Sequence, residues 1–419
     1  MKIKYIKWII ISMLFTTFVM MPNHVSAESQ AKNKAIYLTD GAFTYEGYLS
    51  EDGTECRVKN VRIDASKGST NNLIFPAQIQ GIPVTAIGAE IRSGEEYDDD
   101  LKNIFGQWVE PWHDIDGFSE SMKDIQSVIV PDSVKVLGAA TFSGMRELKT
   151  IKLSKSIKTI PSYAFYHCKS MKEVALPAAM EQLEYGAFSE CEALMALSIH
   201  KNNKKFAVQN NMLLSKNKKN LLWVPPAQKS VRVPNTVRTV CTYALVDSKA
   251  KQLHIGKNVS KIEMSALDCA SVSKVTIDKK NKTYAKKGSC IYKRKNGALA
   301  VGIVKKQKLI INKKVKYIPD EISLCGYGKG LYVIDFAASV KKMKSNWIDL
   351  CNTEYNALNN KKKTEIYFRS AKPPKIIITD SAIASLPINF RLYVPGKAVK
   401  SYKKWVKKNK GKNTVKAMD

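Results

Sequence analysis

Histidine and cysteine are the side chains best able to act as nucleophile, base or metal ligand near neutral pH, so their placement is weighed first. His113, His167, His200 and His254 follow the N-terminal segment, and His167 is next to Cys168. An adjacent thiol and imidazole invite a nucleophile reading, because a base can help form the thiolate. Against it, Cys168 shares a recurring position with Met145 and Cys191. That marks an inward-facing column and a buried structural thiol. The eight cysteines contain no pair at the C-x₂₋₄-C spacing that holds zinc. HExxH, GxSxG and phosphate-loop patterns do not occur. No catalytic residues, no metal and no cofactor are expected, and the chain reads as a non-enzyme.

A second group of reactive types lies in residues 89–124. Glu95, Glu96, Asp98, Asp99 and Asp100 precede Trp108, Trp112, Asp114 and Asp116. A calcium loop is one reading, but Asp114-Ile115-Asp116-Gly117 lacks the ligand order of an EF-hand. An aromatic recognition patch on Trp108 and Trp112 is another, since tryptophan is favoured at interfaces. A solvated acidic loop, with both indoles tucked against the body, is the preferred third.

These residues are positioned by a repeat. At a period of 23, Val128, Ile151, Val174 and Leu197 share one column, and Val130, Leu153, Leu176 and Ile199 another. One outward residue between two inward ones is strand geometry. Pro131, Ser154 and Pro177 end the strands. Phe142, Phe165 and Phe188 then fill the interior as the chain turns back, and Met145, Cys168 and Cys191 close each unit. One coil cannot bury its own apolar face, so coils must stack. Cys168 and Cys191 are expected to be buried and reduced, although neighbouring coils bring them within disulfide reach.

Residues from 197 onward match those from 275 onward at an offset of 78, pairing Asn203 with Asn281, Phe206 with Tyr284 and Val240 with Ile318. Each copy holds a lysine-rich insertion (201–228 and 279–306) that reads as a hairpin. The predicted organisation has four parts. Residues 1–27 are a signal peptide, with Lys2, Lys4 and Lys7 before an apolar run and Val25-Ser26-Ala27 at the cleavage site. Residues 28–72 are an N-terminal β cap. Residues 73–395 are a right-handed parallel solenoid of 22- to 23-residue coils, ending on the strand Leu392–Pro395. Residues 396–419 cap the C-terminus with a short helix, on which Val399, Tyr402, Trp405 and Val406 form one stripe.

The unit in Val128–Leu148, Ile151–Met171 and Val174–Leu194 resembles that of the BspA-like leucine-rich-repeat proteins of bacteria. The resemblance extends to the Ile87-Gly88 close of the first coil and the tail Tyr393-Val394-Pro395. It implies a mainly β solenoid and an exported surface protein, in some members an adhesin. Leu245 and Leu267 depart from it by replacing the phenylalanine.

Charge is lopsided. Residues 1–200 hold 20 Lys/Arg against 25 Asp/Glu, and residues 201–419 hold 48 against 12. Such a field speaks to partners rather than fold. The candidate binding residues are Trp108 and Trp112, then Lys152, Arg232 and His254 on the outward strand column, and Lys204, Lys205, Lys279 and Lys280 on the insertions. The favoured function is a secreted or surface-held binding scaffold for a protein or glycan. If the insertions project from one side, their lysines would hold an anionic wall polymer, an acidic glycan or a membrane surface. A wall-acting enzyme accessory and a nucleic-acid binder are the alternatives; the second has no recognition motif to support it.

Overall fold

The computed structural model describes residues 35–89, 103, 122, 124–268, 271–319, 322–327, 331–344, 364–377, 390–408 and 414–418. The signal peptide, Trp108 and Trp112 lie outside the described residues.

The repeat columns become two parallel ladders joined by a turn in every coil. In the first ladder Asn72–Ile74, Ser127–Ile129 and Thr150–Lys152 pair in register, so Leu73, Val128 and Ile151 share an inward row. Glu173–Leu176 pairs Ala196–Ile199 in the same sense, and Ser230–Arg232, Gln252–Ile255 and Lys274–Ile277 follow. The second ladder is shorter per coil, with Thr159–Ile160 on Gln182–Leu183 and Thr239–Val240 on Lys261–Ile262. The fold is therefore a mainly β parallel solenoid, as the alternation required. At the N-terminus Ala35–Asp40, Phe43–Leu49 and Cys56–Ile63 form an antiparallel meander, and Cys56–Ile63 pairs parallel with Ile82–Ile87.

The aromatic column is a stack. Phe142 and Phe165 have ring centroids 5.5 Å apart, and Phe165 and Phe188 5.1 Å apart at 6°. All three rings are buried. Trp223 extends the stack at 5.4 Å, and Leu245 and Leu267 then hold the same interior place, fully buried. Cys168 and Cys191 are free, buried thiols. Each donates across a coil: Cys168 Sγ to the Phe142 carbonyl at 3.3 Å and Cys191 Sγ to the Phe165 carbonyl at 3.0 Å. A small side chain with a weak donor suits that position better than an inert one.

One expectation is corrected, and one condition set by the sequence is not met. The strand at Leu392–Pro395 is not the last. Beyond helix Val399–Lys408 the chain returns as Thr414–Met418 and pairs parallel with Phe390–Pro395, covering its open edge. Nor do the insertions project. Phe206–Gln209 and Met212–Ser215 form a hairpin whose turn, Asn210-Asn211, has two positive φ angles of 51° and 55°. That hairpin lies in the plane of the second ladder, because Met212–Ser215 pairs antiparallel with Asn220–Trp223, itself a ladder strand. Tyr284–Lys287 and Cys290–Lys293 repeat the arrangement against Leu299–Ile303. Strand alternation makes each hairpin a wall between cores: Leu213 packs into the N-terminal core, Met212 and Leu214 into the middle one. Ile291 belongs to the middle core and Cys290 to the C-terminal one. Among the described residues three large cores in series result, with a small fourth cluster of Ala139, Ala140, Tyr163 and Tyr166 beside the first.

Asn203 and Asn281 join each hairpin to the coil before it. Asn203 Nδ2 donates to the Ala178 and Met180 carbonyls, and its Oδ1 accepts from the Lys205 and Phe206 amides. Asn281 does the same with Gly256, Val259, Thr283 and Tyr284. Both are buried and use their donors and acceptor fully, which is why the 78-residue repeat keeps an asparagine there.

Candidate binding surface

The outward row of the first ladder is where a scaffold of this shape meets solvent. Ile74, Ile129 and Lys152 are consecutive in it, as are Arg232, His254 and Thr276. Lys152 and Arg232 are exposed. His254 is half-buried and its Nδ1 lies 3.0 Å from Thr276 Oγ1. Burial, then the Arg232 charge beside it, lowers its pKa. Further along, Ile310, Asp335, Tyr367, Tyr393 and Lys416 continue the row. Tyr367 and Tyr393 stack at 4.7 Å, and Arg369 lies over Tyr367 while making a two-pronged bond to Asp335. The row is mixed in chemistry along its whole length.

The pair that invited a nucleophile reading is a packing feature. Cys168 faces the core, and His167 is buried in the left-handed region at φ 60° with its ring 4.3 Å from Tyr166. In the same inward column, burial raises the pKa of Cys191 well above the usual thiol value. Among the described residues no group of three or more His, Cys, Asp or Glu is placed to hold a metal.

A feature that sequence reasoning missed lies on the loop side. The hairpin-bearing coil closes through Trp223-Val224-Pro225-Pro226 instead of the usual Phe-containing loop, so the flanking coils meet across a notch. Ser189 Oγ donates to Asp247 Oδ2 at 2.5 Å, and Tyr185 meets Tyr243 edge-on at 5.2 Å. Burial raises the Asp247 pKa to about 6. Glu184, Tyr185, Trp223 and Tyr243 line a cavity of about 150 Å³ there. A second hollow of about 220 Å³ lies over Ala175 and Ser198 on the first ladder. Both fall below the ~300 Å³ at which small-molecule sites begin. The signal available in the sequence was the substitution of the Phe-x-x-Cys loop by two prolines.

The insertion lysines gather elsewhere. Lys204, Lys205, Lys279 and Lys280 are all exposed, and they sit at the bases of the hairpins, on the corner where the first ladder turns into the second. Lys216 Nζ donates to the Lys201 and Asn203 carbonyls, which ties the far hairpin turn to that corner. The structure thus separates the predicted residues into two surfaces. Lys152, Arg232 and His254 share the ladder face, and the four insertion lysines share the corner.

The profile described as "BspA type Leucine rich repeat region" matches this chain in six copies, over residues 116–217 and 227–294. No curated protein matches its sequence. Among solved structures it is similar to the pneumococcal vaccine antigen PcpA, at 14% identity over 91% of this chain and 98% of that one, with a TM-score of 0.38. It is also similar to a leucine rich cell surface protein from Faecalibacterium prausnitzii, at 16% identity over 84% and 97%, with a TM-score of 0.33. A leucine-rich repeat protein from Eubacterium ventriosum is 17% identical over 75% of this chain and 82% of its own, with a TM-score of 0.33.

Proposed function

We propose that this chain, a bacterial protein built on BspA-type leucine-rich repeats, is an exported, non-enzymatic scaffold that binds macromolecules at the cell surface. One observation carries the reading. The inward rows are buried and specify the fold, whereas the outward rows are exposed or half-buried and chemically mixed across the described coils. Stability asks nothing of residues such as Ile74, which is 51% exposed, or Ile310, which is 53% exposed, so they are free to serve a partner. A long surface whose two hollows, over the described residues, fall below small-molecule size suits an extended ligand. The basic leader with its Val25-Ser26-Ala27 site supports export.

The test has two parts. Mass spectrometry of the protein from culture medium and from the cell envelope should find a chain beginning at Glu28. The mature protein should then be captured by host matrix proteins, mucin or wall polymers. An intact N-terminus, or no capture by any of these, overturns the reading.

A further inference from the structure

We propose that the corner between the two ladders, from the Lys201 turn to Lys341, is the docking edge for a linear, single-stranded polymer bearing one phosphodiester per repeat unit. This rests on the reading above that the array binds macromolecules, and names what it holds.

Each coil contributes one turn to this edge. The backbone amide of Arg238 donates to the Lys219 carbonyl at 2.7 Å, and that of Lys341 to the Lys316 carbonyl at 3.0 Å. Lys219 and Arg238 are therefore one strand spacing apart, about 4.8 Å, as are Lys316 and Lys341, and between the two pairs the same row carries Ser260 and Gly297. The hairpins continue the line instead of interrupting it. Arg294 Nε donates to the Asn281 and Tyr284 carbonyls at 3.2 and 3.0 Å, holding the second hairpin's turn at the corner as Lys216 holds the first. Lys257, Lys313 and Lys314 fill the intervening turns, and all are exposed. Glu263 and Asp278 are the carboxylates that the described residues bring to this stretch, and Lys261 is paired to Glu263 at 2.7 Å. No ion pair involves Lys219, Arg238, Lys316 or Lys341 among the described residues.

The same corner in the N-terminal coils is neutralised. Lys155 pairs Asp132 at 3.0 Å, Lys158 pairs Glu181 at 3.5 Å and Lys135 pairs Glu55 at 3.3 Å. A general need for solvating charge would not change character midway along one edge. The charge complement of the C-terminal stretch is a row of anions. Single-stranded nucleic acid is bound through aromatic platforms as well as charge. Here no aromatic residue of the described edge is exposed: Tyr292 and Tyr317 beside it are half-buried, and the exposed Tyr185 stands on the loop side. An edge of charge without stacking fits a polymer without bases.

The experiment uses the mature chain and poly(glycerol phosphate) across a salt series. One variant carries Lys219→Gln, Arg238→Gln, Lys316→Gln and Lys341→Gln. A second removes the same charge from the C-terminal cap, by Lys397→Gln, Lys400→Gln, Lys403→Gln and Lys407→Gln. All eight side chains are exposed, so circular dichroism should report both variants folded. The corner variant should lose at least tenfold in affinity, and its salt slope should fall by about 3, at roughly 0.7 per contact for a single strand. The cap variant should stay within threefold of the parent. Equal losses in the two variants would reduce the effect to net charge and overturn the proposal. So would tighter binding of heparin, poly(U) or anionic vesicles than of the polymer. If the polymer is not bound while matrix proteins or mucin capture parent and corner variant alike, the scaffold reading stands and the edge assignment falls. If nothing is bound, both fall.

Discussion

The corner of the N-terminal coils and the corner of the C-terminal coils have the same backbone but different electrostatics, the first neutralised by ion pairs and the second cationic. In both, a turn closed by one amide-to-carbonyl bond links the ladders, as in Val134 to Pro131 and Val237 to Pro234. In the first, lysines and carboxylates alternate from coil to coil and pair. In the second, Lys219, Arg238, Lys316 and Lys341 are exposed and make no ion pair among the described residues. The two regions differ inside as well. The N-terminal core is filled by a phenylalanine stack, whereas the middle core uses Leu245 and Leu267 and is bounded by hairpin walls. The repeat thus constrains what points inward and leaves the outward positions open to other selection.

The interior difference offers the largest test. Phe165→Ala should cost about 3–5 kcal/mol, as core phenylalanine truncations do, because its ring is clamped between two others. Denaturant titration measures it, and a loss below about 1 kcal/mol would mean that the stack does not carry the N-terminal core. The next test addresses the walls. Asn281→Ala strands two carbonyls and two amides in a buried site and should cost about 2–4 kcal/mol. Asn258→Ala, at an exposed turn, should cost far less, and equal losses would deny the hairpin joint any special role.

A third test probes the notch where the regular coils give way to the first hairpin coil. Asp247 has a folded pKa raised by burial to about 6, so its contribution is fully present below the unfolded value near 4 and lost as pH rises through 6. Asp247→Asn should therefore stabilise the protein at pH 7 by about 1–3 kcal/mol, and leave it unchanged near pH 3.5. Thermal melts across pH 3.5–8 check this, and parallel curves for the two proteins would contradict it. The smallest effect belongs to the paired corner. A double-mutant cycle on Asp132 and Lys155, both largely exposed, should give a coupling below about 1 kcal/mol that disappears in high salt. A larger coupling would mean that these pairs hold the coils together and do not simply neutralise their edge.

The fold was legible because the repeat writes one instruction many times. Val128, Ile151, Val174 and Leu197 need only alternate correctly for stacking to follow, and each is buried as that alternation demands. The candidate surface was legible only in part. Arg232 and His254 could be placed on one row, since register follows from period. The lysines of residues 201–228 and 279–306 could be counted but not located, and the condition that they project is not met. Nothing in a hairpin's own sequence says whether it leaves the sheet or joins it. That depends on whether a neighbouring strand offers unpaired amides and carbonyls, as Asn220–Trp223 does to Met212–Ser215.

The sequence by itself therefore determined the solenoid, its period, its aromatic column and the duplication marked by Asn203 and Asn281. Those are local periodicities that burial enforces coil by coil. Tertiary structure alone decided three things. It split the interior into three large cores, because a hairpin lying in the ladder presents its alternate residues to opposite sides. It brought Ser189 to Asp247 across 58 residues, because the intervening coil lacks its loop. And it turned lysines scattered through the second half of the chain into one edge, because stacking coils aligns positions that recur at different intervals in sequence but at one spacing in space.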